Sequence, residues 1–174
     1  MSHLTVIGWL DTGLVWSRLR QVYWERFEGD GDLDTIPLLD EDGAKLPIMR
    51  GEKGWQGANT FLTRFKQAAA PFLGGRPAEL GAVWIERLRP NGKTPWTVID
   101  EPDWLRIHVC LSGPPGAWLY CGGEALNGAG MMPGSVVYVN VAALHSAVNF
   151  GNAPRIHLVA NVRRPNPNAL PEEV

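Results

Sequence analysis

An imidazole and a guanidinium stand ten positions apart near the C-terminus, His145 and Arg155. They lie in His145-Ser146-Ala147-Val148-Asn149 and Pro154-Arg155-Ile156-His157-Leu158-Val159, shortly after Pro133-Gly134-Ser135-Val136-Val137-Tyr138-Val139-Asn140. A strand carrying the imidazole, a short turn and a second strand opening on the guanidinium can hold a metal ion beside a carboxylate-bearing cosubstrate. Imidazole is a good ligand for iron and its first-row neighbours, and guanidinium grips a carboxylate through two parallel hydrogen bonds. The plain alternative is a surface histidine in a hairpin and a solvated arginine.

A second pair sits in Leu105-Arg106-Ile107-His108-Val109-Cys110-Leu111-Ser112. In a strand, Leu105, Ile107, Val109 and Leu111 point one way while Arg106, His108, Cys110 and Ser112 point the other. The tripeptide Arg-Ile-His recurs at 155–157, where Arg155, His157, Val159 and Asn161 share a face. That face turns apolar midway, as a cavity mouth closing into a core would.

Short strands divided by Gly and Pro must position these residues: 82–88, 96–99, 105–111, 117–121, 135–140, 145–149 and 155–162. Seven at this spacing imply a sandwich or barrel. Upstream, Asp11 can cap a helix over 12–27, and Phe61, Leu62 and Phe65 mark a second over 58–70, stopping before Pro71. Between them, 29–43 reads as an Asp- and Gly-rich loop with a short extended piece at 36–39. The expected organisation is one domain over 1–174: helical support in 1–80, a β-barrel core in 81–165 and an exposed tail in 166–174.

With 174 residues, 45% of them hydrophobic and 20% charged, the chain can bury a sizeable core. A net charge of −2 gives no pull toward nucleic acid or anionic membrane. The first residues, Met1-Ser2-His3-Leu4-Thr5-Val6-Ile7-Gly8-Trp9-Leu10, read as neither signal peptide nor membrane anchor. A cytoplasmic location is expected, with Cys110 and Cys121 as free thiols.

The segment from Arg87 to Pro165 resembles the aspartyl/asparaginyl β-hydroxylase family, which is similar to the bacterial proline hydroxylases. The resemblance is carried, in order, by Arg106-Ile107-His108-Val109, Gly122-Gly123-Glu124, Pro133-Gly134 before Val136-Val137-Tyr138, His145-Ser146-Ala147-Val148-Asn149 and Pro154-Arg155-Ile156-His157-Leu158. It implies a mostly β, double-stranded β-helix (jelly-roll, cupin-like) core, here with two N-terminal helices packed on one side. It also implies an oxygenase that uses Fe(II) and 2-oxoglutarate to hydroxylate an amino acid or a peptide or protein side chain. His145 would be the distal iron ligand and Arg155 the partner of the far oxoacid carboxylate. Arg106 and His108 would line the cosubstrate pocket.

One position departs from the family. The place of its first metal-ligand histidine is held by Thr97, with Ile99 two residues beyond, and there is no histidine between His3 and His108. Asp100 is the carboxylate that a displaced loop would bring to the metal. Two further readings therefore stand beside the oxygenase: a non-catalytic binding or assembly protein that has lost the iron, and a cupin-type isomerase or lyase. In any of them, four potentially cationic groups facing one cavity need a counter-charge. It would come from a ligand carboxylate or from a neighbour such as Asp100, Asp103 or Glu124.

The remaining features read as structural. Gly122-Gly123 reads as a hairpin turn and not a phosphate loop, since no helix pattern follows. Trp84, Trp96, Trp104 and Trp118 read as core fillers, with an aromatic peptide groove as the sharper alternative. Cys110 reads as a buried, inert thiol before a metal ligand.

Overall fold

A computed structural model describes residues 2–13, 31–44, 56–73, 75, 78–101, 103–128 and 130–164. Its strands are β1 (Leu4–Trp9), β2 (Leu33–Leu39), β3 (Leu80–Leu88), β4 (Trp104–Ser112), β5 (Ala117–Cys121), β6 (Glu124–Asn127), β7 (Ser135–Val139), β8 (His145–Asn149) and β9 (Arg155–Arg163). One helix, α1 (Gln56–Ala69), runs into a 3-10 turn, Ala70–Leu73. A six-stranded antiparallel sheet, in the order β1-β7-β4-β9-β3-β2, packs against a three-stranded one, β6-β5-β8. This mostly β architecture is consistent with the jelly-roll or cupin-like core that the resemblance implies, and it is one of the sandwich-type folds that the strand spacing predicts.

Strand alternation divides the interior in two. Leu105, Ile107, Val109 and Leu111 of β4 join Ile156, Leu158, Ala160 and Val162 of β9 and Val83 and Ile85 of β3 in one cluster, beneath α1. The helix contributes Phe61, Leu62, Phe65 and Ala69, an apolar stripe at helical spacing. The opposite face of the large sheet meets the small sheet through Leu88, Cys110, Val137 and Val139 against Leu119, Cys121 and Ala147. Polar side chains of β3, β4 and β9 lie on that second face, between the sheets.

Of the two expected N-terminal helices the structure shows the second, expected over 58–70, as α1; the pair as such is not supported. Among the described residues there is one α-helix, and the N-terminal part adds two edge strands to the large sheet. The first predicted helix, over 12–27, lies outside the described residues except at its start, where Asp11 Oδ1 accepts a hydrogen bond from the Gly13 N–H at 3.0 Å. The extended piece foreseen at 36–39 is the end of β2, which pairs with β3 from Leu33↔Leu88 onward. Pro37 fits there because an edge strand can spare an N–H. No described helix is long and apolar enough to cross a membrane.

The glycine pair forms the hairpin turn, joining β5 to β6 with φ of 56° at Gly122 and 84° at Gly123. A Cβ at Gly122 would collide with the His3 ring, whose Nδ1 accepts from Asn140 Nδ2 at 3.0 Å. Gly122→Ala should therefore lose about 1–2 kcal/mol, left-handed strain plus the displaced ring, in a urea titration.

Candidate functional site

Register builds a polar floor from three adjacent strands. Glu86 of β3 lies opposite His157 of β9, and His157 lies opposite Cys110 of β4. Arg155 is opposite Leu88, so it is diagonal to Glu86 on the same face. Arg106 is opposite Asn161, and His108 is opposite Val159.

Above this floor is a cavity of about 360 Å³, with Trp84, Glu86, Arg106 and His108 on the large-sheet side and Thr97 and His145 at the small-sheet side. Thr97 and His145 face each other across an isolated antiparallel bridge, N–H to carbonyl at 3.0 and 2.9 Å. The predicted strand 96–99 is thus a set of bridging contacts along β8 and not a ladder.

The buried charge is arranged around Arg155. Its side chain is 0% exposed and forms an ion pair with Glu86 Oε1, while its Nε and Nη1 have no hydrogen-bond partner among the described residues. His108 and His157 meet through their Nδ1 atoms at 3.3 Å, rings edge to face. Both are fully buried, and burial, followed by the Arg155 charge, holds both well below the ordinary imidazole pKa of 6.5. They are neutral at pH 7.

Arg106 is anchored differently. Its Nε donates to Asn161 Oδ1 at 3.1 Å and its guanidinium lies 5.0 Å from the Trp84 ring centre. Burial lowers its pKa from 12.5, but among the described residues no carboxylate comes within ion-pair distance of it. His145 is half-buried, and burial lowers its pKa too. Its Nδ1 donates to the Ala143 carbonyl at 3.0 Å, which leaves Nε2 with a lone pair.

Three of the residues expected at the site, Arg106, His108 and His145, line one cavity. Arg155 does not line it and reaches it only through Glu86. Asp100 is exposed and is not part of the lining. The internal counter-charge expected from Asp100, Asp103 or Glu124 is instead Glu86. Asp103 is exposed, and Glu124 is taken by the Ser2 hydroxyl and the His3 and Leu4 N–H groups.

Glu86 was not singled out in the sequence, Trp84 is read there only as a core filler and His157 only as sharing a face with Arg155. The signal for Glu86 and Trp84 was their alternation with Val83 and Ile85 in a predicted strand. Tryptophan as core filler also needs correcting, because Trp96 is 58% exposed and Trp84, Trp104 and Trp118 are only half-buried. Cys110 is the buried thiol expected: it donates to the Met131 carbonyl at 2.9 Å, and burial pushes its pKa up to about 12.

The donors do not fit iron at the position the resemblance implies. His145 offers one nitrogen there, Thr97 across the bridge offers a hydroxyl and Ile99 offers nothing, whereas this chemistry uses two imidazoles and a carboxylate. Glu86, His108 and His157 have one ligand atom each within 4.8 Å of one another. That carboxylate, however, is held by Arg155, whose charge opposes a cation.

Residues 80–165 match the family model described as aspartyl/asparaginyl beta-hydroxylase. No curated protein matches the chain. Among solved structures it is similar to a Pseudomonas putida prolyl-4-hydroxylase (TM-score 0.62, 13% identity, covering 94% of this chain and 92% of that one). It is also similar to AviO1 from Streptomyces viridochromogenes Tue57 (0.59, 17%, 98% and 93%). A third similar structure is an oxidoreductase of the 2OG-Fe(II) oxygenase family from Burkholderia pseudomallei (0.59, 15%, 88% and 80%).

Proposed function

From a chain whose residues 80–165 belong to the aspartyl/asparaginyl β-hydroxylase family, we propose a protein that binds a small carboxylic acid in the intersheet cavity and holds no iron at the family's ligand positions. The observation that carries this is Arg106, a guanidinium lining the cavity beside the Trp84 ring, to which no carboxylate is paired among the described residues. A ligand carboxylate would complete its charge, and Leu33, Ile99 and Leu119 would cover an apolar body. The Thr97 hydroxyl and the His145 Nε2 lone pair remain for one further polar group.

Calorimetric titration with 2-oxopentanoate tests this. Binding is expected, and Arg106→Met should weaken it by about tenfold or more, the loss of a charge-assisted hydrogen bond. No binding to the folded protein, or unchanged affinity in the variant, overturns the proposal.

A second reading keeps the oxygenase, with Fe(II) and 2-oxoglutarate, acting on an amino acid or a peptide side chain. It is favoured by the Glu86, His108 and His157 cluster, which has the right donor types although not at the family's positions. Anaerobic addition of Fe(II) and 2-oxoglutarate separates the two readings. A visible charge-transfer band and turnover to succinate support the oxygenase, and the absence of both supports the carboxylate-binding protein.

A further inference from the structure

The charges on and directly behind the cavity wall nearly cancel. Arg106 and Arg155 contribute two positive groups and Glu86 one negative, and His108, His157 and His145 are neutral at pH 7. One positive charge is left, and it resides at Arg106. Arg155, the second guanidinium that a dicarboxylate would need, is sealed behind Glu86: its side chain is 0% exposed, that of Glu86 11%.

We infer that Glu86 is a tethered carboxylate that occupies Arg155 in place of a ligand's, so that the cavity accepts acids with one carboxylate and rejects dicarboxylates such as 2-oxoglutarate. This rests on the carboxylate-binding reading above and names its substrate class. Glu86 is held by the strand register that puts β3 beside β9. It competes with any incoming carboxylate as an intramolecular group, at an effective concentration no free ligand matches. A second ligand carboxylate entering the cavity would meet the Glu86 oxygens before it met Arg155, and like charges side by side are repelled.

A matched pair of probes isolates that second carboxylate. 2-Oxoglutarate and 2-oxopentanoate have the same five-carbon 2-oxoacid chain and differ only in a terminal carboxylate or methyl group. In calorimetric titrations at pH 7 the unmodified protein should bind 2-oxopentanoate about tenfold or more tighter than 2-oxoglutarate. Glu86→Gln, which keeps the side-chain shape, and Glu86→Ala, which opens its volume, should each improve 2-oxoglutarate binding by about tenfold while changing 2-oxopentanoate about threefold at most.

Equal affinity of the unmodified protein for both acids, or a ratio unmoved in the Gln variant, overturns the role of Glu86 while leaving carboxylate binding intact. Failure of both acids to bind the unmodified protein and both variants overturns carboxylate binding itself, and the role of Glu86 with it. The Gln variant keeps a hydrogen-bond acceptor for Arg155, so the comparison survives if the Ala variant does not fold.

Discussion

Arg155→Met should cost the fold about 3–5 kcal/mol, the largest loss expected from any single substitution at the site. Arg155 is the largest fully buried side chain among the described residues, and its one ion-pair partner is Glu86. Removing it leaves a carboxylate in the interior beside two neutral imidazoles, and uncompensated buried charge carries most of the penalty. The guanidinium is not itself well satisfied, since Nε and Nη1 lack partners. The pair as a whole therefore contributes little, and Glu86→Leu combined with Arg155→Met should recover most of the loss. Denaturant titrations of the two single variants and the double variant read this directly. A cycle in which the two losses simply add would show that the pair is not coupled.

The same pair explains what the sequence disclosed and what it withheld. Period-two alternation made Arg106, His108 and His157 legible as one-sided polar residues, because a buried strand leaves no freedom over which face a side chain takes. The spacing of His145 and Arg155 indicated a site, and the cavity with His145 on its wall lies where two sheets must meet. The partner of Arg155 was not legible. Sixty-nine positions separate Glu86 from Arg155, and only the order β4-β9-β3 puts β3 next to β9.

Nearby carboxylates such as Asp100 looked better placed by number, yet they lie on the exposed segment after Ile99. β2 was obscured for a different reason. Its inward residues Asp34, Ile36 and Leu38 alternate well, but Pro37 interrupts and Asp34 looks like loop composition. Asp34 is in fact buried, receiving Arg87 at 2.6 Å and Arg89 at 3.0 Å.

Acid should unfold this protein from an unusually high pH, and the cause is the pair of rings at the cavity floor. His108 and His157 are held neutral by burial and by Arg155, with Arg106 and His145 adding to the shift at His108. A proton on either ring would also bury a cation near Arg155, and on His108 near Arg106 as well. In the unfolded chain both take up protons near the ordinary value of 6.5. Below that pH the unfolded state therefore binds more protons than the folded one, and stability falls as pH falls, by about 1.4 kcal/mol per pH unit for each ring. Well above pH 6.5 neither state holds a proton on these rings and the dependence disappears.

Glu124, held below its usual value by the Ser2 hydroxyl and the Leu4 and His3 N–H groups, adds a separate loss only at more acidic pH, as it takes up a proton below 4.5. Half-buried His145 shifts in the same direction as the two rings. His157→Phe fills most of the ring's volume and removes one of the two buried titrations, so the slope between pH 6.5 and 5.5 should fall by about 1 kcal/mol per unit. Arg155→Met should flatten it further. With the guanidinium gone, Glu86 faces His108 directly, and a protonated ring becomes the partner the carboxylate has lost. Urea titrations at half-unit steps from pH 8 to 5 test both. A slope unchanged in His157→Phe would place the acid sensitivity elsewhere in the chain.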